Sequence, residues 1–335
     1  MLAQYLQSPL LACVTVAAAA AFAPSSFVAL VVRNVAIAYA LVFVLDLVVA
    51  RYHLAAVPAI APHATKYALV TGGSSGIGRE IAFQLAAEQY SLILAARNSD
   101  ALEKTQTEIQ ALYPKCANVR ICACDLSTHE GIQRLVAYVD SNQLEVEILI
   151  NNAGASFTCD FVDLTPQRVD ELLTLNVVAM AKLSHAIVPQ MVARGRGRVL
   201  NIASMSSAIS IPTAALYGSS KAFMLNLSQA MNYELRATGV TVTGMCPGPV
   251  HTNFSATAHC DSSIYMNLPG AVLDAKECAR RSLLAMFDAD NDCYDTIVSR
   301  WGAAVFRTLL PSRLGLLVAA VCMNEPRKML KLIRT

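Results

Sequence analysis

The stretch KYALVTGGSSGIG, from Lys66 to Gly78, decides the fold of this chain. It begins as a short apolar strand, Tyr67 to Val70, and passes through a glycine-rich turn into a helical pattern from Ile77 to Glu88. Such a turn directs backbone N–H groups and the positive end of a helix at one spot, which suits a phosphate. The glycines also let the backbone approach a pyrophosphate closely. The stretch predicts a dinucleotide site rather than an ordinary strand-to-helix turn, because both flanking elements fit.

Beyond this stretch the chain repeats a strand–helix alternation. Alternation of this kind predicts an α/β fold, a Rossmann-type doubly wound parallel sheet with helices on both faces. The predicted strands are Ala68–Thr71, Ser91–Ala96, Val119–Cys124, Ile148–Asn151, Arg198–Ser204, Val240–Cys246 and Tyr294–Val298. The predicted helices include Asp100–Tyr113, Pro166–Arg194 and residues 214–236. Right-handed crossovers bring the carboxyl ends of all strands to one edge, where ligands bind.

Residues 1–62 predict a membrane anchor of one or two helices. Leu2–Val32 holds no charged residue, and Val35–Ala50 is apolar apart from one aspartate, which is long enough to span a bilayer. A cleaved signal peptide is the alternative, because Ala21–Ala23 resembles a cleavage site; a positive leading region is missing, however, and apolar sequence continues past that point. A hairpin that lies in the membrane without crossing it also stays open. Basic residues from Arg51 onward favour a cytosolic main domain.

Composition sets the remaining bounds. The chain has 335 residues, of which 55% are apolar and 15% charged, and the first 65 residues carry much of that apolar excess. We predict three parts: the anchor at 1–62, a nucleotide-binding domain at 63–299 and a basic amphipathic tail at 300–335. The formal charge of +2 gives no indication of an acidic partner, and we predict no nucleic-acid partner. The ten cysteines show no metal-ligand spacing, so we predict reduced thiols and no metal site.

The tail permits two interpretations. Arg300–Thr335 holds seven Lys/Arg against one Glu, and an apolar run lies at Leu314–Met323. A basic amphipathic segment can lie on an anionic bilayer. It can equally form a helix that packs over a substrate pocket or against a second subunit.

Seven short motifs carry a resemblance to the classical short-chain dehydrogenase/reductase family. They are TGGSSGIG (71–78), CDL (124–126), NNAG (151–154), LNVV (175–178), NIAS (201–204), YGSSK (217–221) and CPGPVHT (246–252). Together they span about residues 66–300, and seven ordered matches are far more specific than any single one. The resemblance implies an oxidoreductase that uses a nicotinamide cofactor to interconvert a ketone and a secondary alcohol.

Four residues are the catalytic candidates. Tyr217 and Lys221 are four apart on a predicted helix, so they share a face, and a neighbouring cation favours the phenolate form. Ser204 ends a strand-like run, where its hydroxyl suits a substrate carbonyl. A surface pair and a turn serine are the alternatives. The resemblance makes Tyr217 the proton donor and Ser204 the stabiliser of the carbonyl oxygen. The resemblance also implies that Lys221 binds the nicotinamide ribose and that Asn176 holds a water that links Lys221 to solvent.

The end of the second strand indicates the cofactor. An NAD site would place a carboxylate there, whereas this chain has Ala95, Ala96 and then Arg97, whose guanidinium suits a 2′-phosphate. We therefore predict NADP(H); an ordinary surface arginine is the alternative. The residues that the resemblance assigns to cofactor binding are Gly72, Ser74, Ser75, Gly76, Ile77, Gly78, Arg97, Asp125, Asn152, Ala153, Gly154, Tyr217, Lys221, Pro247, Gly248, Val250 and Thr252.

The substrate is predicted to be a small apolar, lipid-like ketone or alcohol. Asn253–Leu273 follows the last cofactor motif and has a single charge, Asp261. An anchor followed by this domain resembles the endoplasmic-reticulum members: 17-beta-hydroxysteroid dehydrogenases, very-long-chain 3-oxoacyl-CoA reductases and 3-ketodihydrosphingosine reductases. We therefore predict an endoplasmic-reticulum membrane protein with its catalytic domain in the cytosol, and a homodimer or homotetramer. A catalytically idle NADP(H)-binding membrane scaffold or sensor is the alternative.

Overall fold

A computed structural model describes residues 34, 37, 60–61, 65–116, 118–252, 272–290, 292–308 and 312–323. Internal contacts divide the chain into Met1–Ala56 and Val57–Thr335, and the second of these units holds the sheet. The predicted anchor at 1–62 and the predicted substrate segment Asn253–Leu273 lie almost entirely outside the described residues.

Seven parallel strands form the central sheet. They are β1 (Lys66–Thr71), β2 (Ser91–Ala96), β3 (Val119–Ala123), β4 (Glu145–Asn151), β5 (Gly197–Ile202), β6 (Val240–Cys246) and β9 (Asp292–Tyr294). Across the sheet their order is β3-β2-β1-β4-β5-β6-β9. The order runs outward in both directions from β1 and β4, so the switch point where such sheets bind ligands lies between these two strands. The prediction of a doubly wound parallel sheet is confirmed.

The described residues form nine α-helices. They are α1 (Gly76–Ala87), α2 (Ser99–Leu112), α3 (His129–Ser141), α4 (Pro166–Leu173), α5 (Met180–Ala193), α6 (Ala215–Glu234), α7 (Ala275–Phe287), α8 (Ile297–Thr308) and α9 (Ser312–Met323). Side chains alternate along each strand, so Ala68 and Val70 pack with α1, α2 and α7 in one core. Tyr67 and Leu69 pack with α3 and α5 on the other face. Burial on both faces explains why the strands are continuously apolar.

The predicted long helix Pro166–Arg194 is interrupted. A π-helical turn, Thr174–Ala179, joins α4 to α5, and such turns are common at functional sites. Within the described part of the chain, Pro166–Ala193 is the one helical run long and apolar enough to cross a bilayer. Its apolar side chains, among them Leu183 and Met191, are buried in the core against the sheet. It is therefore a core helix of the domain.

Two details near the C-terminus differ from the sequence prediction. The predicted strand Tyr294–Val298 was wrong: β9 ends at Tyr294, and α8 begins at Ile297. The Thr296 hydroxyl accepts a hydrogen bond from the Ser299 N–H at 3.0 Å, which caps α8 and takes the apolar pair at 297–298 into a helix. A second, two-stranded sheet pairs β7 (Val250–His251) with β8 (Leu273–Asp274). Strands of two residues leave no periodicity to detect.

Candidate functional site

The glycine-rich turn after β1 is built for close approach. Gly72 and Gly76 have φ of 68° and 54°, a region that other residues enter only with strain. A Cβ at Gly78 would lie 2.3 Å from the Asn152 side-chain nitrogen and 2.5 Å from the Gly72 carbonyl oxygen. No side chain larger than hydrogen fits there, so α1 packs directly onto the turn.

Thr71 and Asn152 fix this turn between β1 and β4. The Thr71 hydroxyl donates to the Ile150 carbonyl at 3.1 Å and accepts from the N–H groups of Asn152 and Ala153 at 3.0 and 3.1 Å. The Asn152 amide donates to the Thr71 carbonyl at 2.9 Å. Sequence reasoning did not include Thr71 among the site residues, although it opens the TGGSSGIG motif. Its role depends on β1 and β4 being neighbours.

The N-terminus of α1 differs from those of several other helices. Side-chain oxygens accept hydrogen bonds from first-turn N–H groups in α2, α3, α4 and α7, through Asn98, Thr128, Thr165 and Asp274. Ser75 precedes α1 in an extended conformation, and its side chain makes no cap. The first-turn N–H groups of α1, including that of Ile77, are thus left for an external acceptor, and this helix end favours an anion. Ser74 is half-buried beside it.

The next two strands deliver the residues predicted for the adenosine half. Arg97 follows β2 with 62% of its side chain exposed, and it lies 3.5 Å from a carboxylate oxygen of Glu171. Asp125 follows β3; its Oδ1 accepts from the N–H and hydroxyl of Ser127 at 3.0 and 2.7 Å. Both residues lie at the carboxyl edge of the sheet, on the β1 side of the switch point.

The loop from Pro247 to Thr252 closes the opposite side. The Pro247 carbonyl accepts from the Met205 N–H at 2.8 Å, and the Pro249 carbonyl accepts from the Leu273 N–H at 3.1 Å. A Cβ at Gly76 would lie 3.4 Å from the Thr252 methyl group. The loop therefore extends back to the glycine-rich turn. Its residues Gly248 and Val250 lie in the part that the hydrogen bonds to Pro247 and Pro249 hold in place.

Lys221, on α6, is buried close to the end of β5. The residue is 3% exposed, its ammonium donates to the Ile202 carbonyl at 2.6 Å, and it lies 5.9 Å from the centroid of the Tyr217 ring. Burial lowers the pKa of Lys221 from 10.5 to about 8, since desolvation disfavours the charged form. Lys221 thus joins the end of β5 to Tyr217 on α6.

Asn176, in the π-helical turn, is fully buried and ties three segments together. Its carbonyl oxygen accepts from the Ala155 N–H at 2.9 Å, and its amide donates to the Ala155 carbonyl at 3.0 Å and the Ser220 hydroxyl at 2.9 Å. Ser220 donates in turn to the Tyr217 carbonyl at 2.7 Å. A Cβ at Gly154 would lie 3.3 Å from the Asn176 oxygen and 3.4 Å from the Lys221 ammonium. These two groups therefore flank Gly154.

Ser204 follows β5, two residues beyond the carbonyl that Lys221 binds. Its hydroxyl oxygen accepts from the Ser206 N–H at 3.2 Å, which leaves its own O–H proton to donate. The Ser207 hydroxyl instead donates to the Lys221 carbonyl at 2.9 Å and holds this turn against α6. The four predicted catalytic residues thus come from the end of β5, from α6 and from the π-helical turn.

A nicotinamide dinucleotide fits these residues. The glycine cradle would be filled by any Cβ at Gly78, the α1 terminus is uncapped, and a basic side chain follows β2. On the far side of the switch point lie a phenol, an ammonium and a hydroxyl, the groups that a carbonyl reduction uses. The arrangement can hold a pyrophosphate at one end and exchange a proton at the other.

Comparison with known proteins supports this assignment. Residues 66–262 match the family model for short chain dehydrogenases. The very-long-chain 3-oxoacyl-CoA reductase of Mycosarcoma maydis is 33% identical over 183 residues, 53% of this chain and 51% of that protein. The enzyme of the same name from Bos taurus is 29% identical over 201 residues, 58% of this chain and 63% of that protein. The chain thus spans about half the length of the curated relatives it matches.

A solved structure agrees. The short-chain dehydrogenase from Sphingobium yanoikuyae in complex with NADPH aligns with a TM-score of 0.65 and 28% identity, over 71% of this chain and 92% of that one. The family model covers more than half of the sequence. This chain therefore belongs to the short-chain dehydrogenase family of oxidoreductases, is of the classical type, and resembles the very-long-chain 3-oxoacyl-CoA reductases.

Proposed function

We propose that this protein uses NADPH to reduce a ketone on an apolar, lipid-like substrate, a 3-oxoacyl thioester in the first instance. One observation carries the proposal: the buried ammonium of Lys221 links the end of β5 to the Tyr217 ring, at the sheet edge that also holds the uncapped terminus of α1. A buried charge is costly, so its retention beside a phenol supports a chemical use.

The cofactor is held along the sheet edge. Backbone groups of residues 72–78 receive the pyrophosphate, Arg97 receives the 2′-phosphate, and Asp125 with Asn152–Gly154 contact the adenosine half. The exposed Arg97–Glu171 pair contributes little stability, so Arg97 is available to a phosphate. The nicotinamide end is held by Tyr217, Lys221 and the loop from Pro247 to Thr252. The loop residues assigned to this contact are Pro247, Gly248, Val250 and Thr252. When bound, the cofactor supplies the hydride that reduces the carbonyl carbon.

The chain's own residues manage the proton and the developing charge. Tyr217 donates its phenolic proton to the carbonyl oxygen as general acid. Ser204 donates a hydrogen bond to the same oxygen, whose charge grows in the transition state. When Tyr217 has given up its proton, the positive charge of Lys221 stabilises the phenolate that remains. Asn176 holds a water that links Lys221 to solvent, and the position of both groups against Gly154 supports this role.

Substrate class and location rest on sequence and relatives. The segment Asn253–Leu273 carries a single charged residue, Asp261, and the relatives from Mycosarcoma maydis and Bos taurus are very-long-chain 3-oxoacyl-CoA reductases. Such substrates partition into bilayers, so a membrane enzyme of the endoplasmic reticulum is consistent with residues 1–62 as anchor. Residues 63–299 then form the cytosolic catalytic domain and residues 300–335 the tail.

Turnover by the full chain in membrane fractions tests the proposal. We expect NADPH oxidation with 3-oxoacyl-CoA thioesters, rising with chain length, and lower rates with steroid or sphingoid ketones. Tyr217→Phe should lower kcat by about a hundredfold or more, because the general acid is lost. Tyr233→Phe, an exposed tyrosine on the same helix, is the matched control and should be unchanged. Equal low rates in wild type and Tyr217→Phe would instead indicate a nucleotide-binding scaffold.

A further inference from the structure

One buried carboxylate is not used by the mechanism. Asp295 follows β9, lies outside the matched family region 66–262, and is 1% exposed. Its Oδ1 accepts a hydrogen bond from the Gly248 N–H at 2.9 Å. The second oxygen, Oδ2, is buried, and hydrogen bonding from the Ser299 side chain and the Thr296 backbone also lowers the pKa of this carboxyl. An aspartate held in this way costs stability unless its contacts offset the desolvation.

Among the residues that the structure describes, none forms a salt bridge with the Asp295 carboxylate, although the nearby charge of Arg281 lowers its pKa. The Arg281 guanidinium donates to the backbone carbonyl of Asp295, and its Nε donates to Glu277 at 2.7 Å. Glu277 also binds Arg280. Burial raises the pKa of the Asp295 carboxyl, and the Gly248 N–H is foremost among the groups that oppose that rise. The bond to Gly248 is therefore the direct polar contact that the carboxylate makes with the cofactor loop.

Gly248 is the only possible backbone donor in its part of the loop. Pro247 and Pro249 on either side lack N–H groups, so the carboxylate takes the single backbone donor of the tripeptide. The neighbouring carbonyls are bound by Met205 and Leu273. Asp295 thereby fixes the orientation of the loop from a position 47 residues later in the chain.

We propose that Asp295 is a positioning residue that holds the Pro247–Thr252 loop in the form that receives the nicotinamide half of the cofactor. The proposal rests on the proposed function, since it deepens the role of the same site. In this role Asp295 acts through Gly248 and needs no contact of its own with cofactor or substrate. Removal of the Asp295 carboxylate should therefore weaken binding of the nicotinamide half of the cofactor and leave binding of the adenosine half unchanged.

Calorimetric titration of the full chain in detergent with two ligands separates the ends. NADPH carries the nicotinamide, whereas 2′-phospho-ADP-ribose lacks it. In Asp295→Ala we expect NADPH to bind about ten- to a hundredfold more weakly, as for loss of a charged hydrogen bond. Affinity for 2′-phospho-ADP-ribose should stay within about twofold. Asp295→Asn, which keeps an acceptor oxygen, should recover most of the NADPH affinity. Asp295→Ser, which leaves a polar atom in the cavity, replaces the alanine variant if that one does not fold.

Thr243→Val is the matched control. It removes another buried hydrogen bond in the same part of the fold, from Thr243 to the Asp290 carbonyl at 2.6 Å, and should lower Tm without changing either affinity. The inference is overturned if Asp295→Ala binds NADPH as wild type does, or if both ligands weaken by the same factor. A wild-type protein that binds neither ligand would instead overturn the proposed function itself.

Discussion

Burying an ammonium as deeply as that of Lys221 destabilises a fold unless polar contacts offset the lost hydration. In this chain the ammonium has the Ile202 carbonyl and the Tyr217 ring as neighbours, and its pKa falls to about 8. The sequence motif predicted that Tyr217 and Lys221 share a helix face. It did not predict the bond to β5, because that bond depends on how α6 packs on a strand that precedes it.

Stability should reveal this lysine through its pH dependence. Between about pH 8 and 10.5 the unfolded chain keeps the Lys221 proton and the folded chain releases it, so the free energy of unfolding rises with pH across that window. The rise is roughly 3 kcal/mol at most. Urea unfolding of the cofactor-free protein at the two ends of the window, in wild type and Lys221→Met, measures it. A variant with the same rise as wild type would contradict the prediction.

Arg97 carries the choice of cofactor. Arg97→Ala should raise Kd for NADPH by about ten- to a hundredfold, because a charged contact to the 2′-phosphate is lost, and leave Kd for NADH unchanged. Glu171→Gln releases Arg97 from an exposed ion pair, so NADPH should bind at most a few times more tightly. Competition titrations with the two nucleotides measure both effects. A wild-type preference for NADH would refute the assignment.

At the scale of elements, burial and capping decided what the sequence could predict. Strands β1 to β6 are apolar on consecutive residues and were found within a few residues of their bounds. The end of β9 was misplaced because Thr296 caps a helix there. Strands β7 and β8 were missed because each exists only by pairing with the other. The π-helical turn left no periodic signal either, although Asn176 within it was predicted as a site residue from its motif.

The start of α3 offers a test of close packing. A Cβ at Gly131 would lie 1.8 Å from the Asp125 carbonyl oxygen, so Gly131→Ala must push α3 away from the turn that presents Asp125. We expect a loss of about 1–3 kcal/mol in the free energy of unfolding, with weaker NADPH binding. Thermal unfolding and titration measure the two effects.

Gly195→Ala is the contrasting variant for this test. Gly195 has φ of 69°, and no heavy atom lies within 4 Å of the position that a Cβ would take there, so alanine costs about 1 kcal/mol through backbone strain alone. NADPH binding should be unaffected. If Gly131→Ala were as stable as wild type, the contact between α3 and the Asp125 turn would not be rigid.

At the scale of the whole molecule, topology gathers motifs that are far apart in sequence. Because the strands are parallel, the ends of β1, β4, β5 and β6 meet at one edge, and the motif order was enough to predict this. The polar contacts that brace the site, such as Asn151 with Asn201 at 2.8 Å, join neighbouring strands and could not be inferred from either residue alone. The anchor and the substrate segment stay predictions.

The C-terminal helix α9 is a described element that suits a membrane surface. Gly315 and Ala319 are buried, whereas Leu314, Leu316 and Leu317 are 43–60% exposed, and the tail around them is basic. We expect a chain that starts at Val57 to sediment with vesicles of anionic lipid, less so at high salt.

The double variant Leu314→Glu/Leu317→Glu should remain in the supernatant, and neutral vesicles are the control. A wild-type chain that stays unbound but elutes as a dimer would assign the leucines to a second subunit.

The π-helical turn between α4 and α5 has a consequence for how this enzyme could be disabled. A turn wound to i→i+5 takes up more residues than a regular helix of the same length. Deleting one residue from Thr174–Ala179 would let the two arms join smoothly, but each residue of an α-helix rotates the chain by about 100°. Either Asn176 would rotate away from Ala155 and lose its hydrogen bonds, or α4 would rotate and lose its present packing. A single-codon deletion in this turn would therefore leave a regular helix but disrupt the candidate active site.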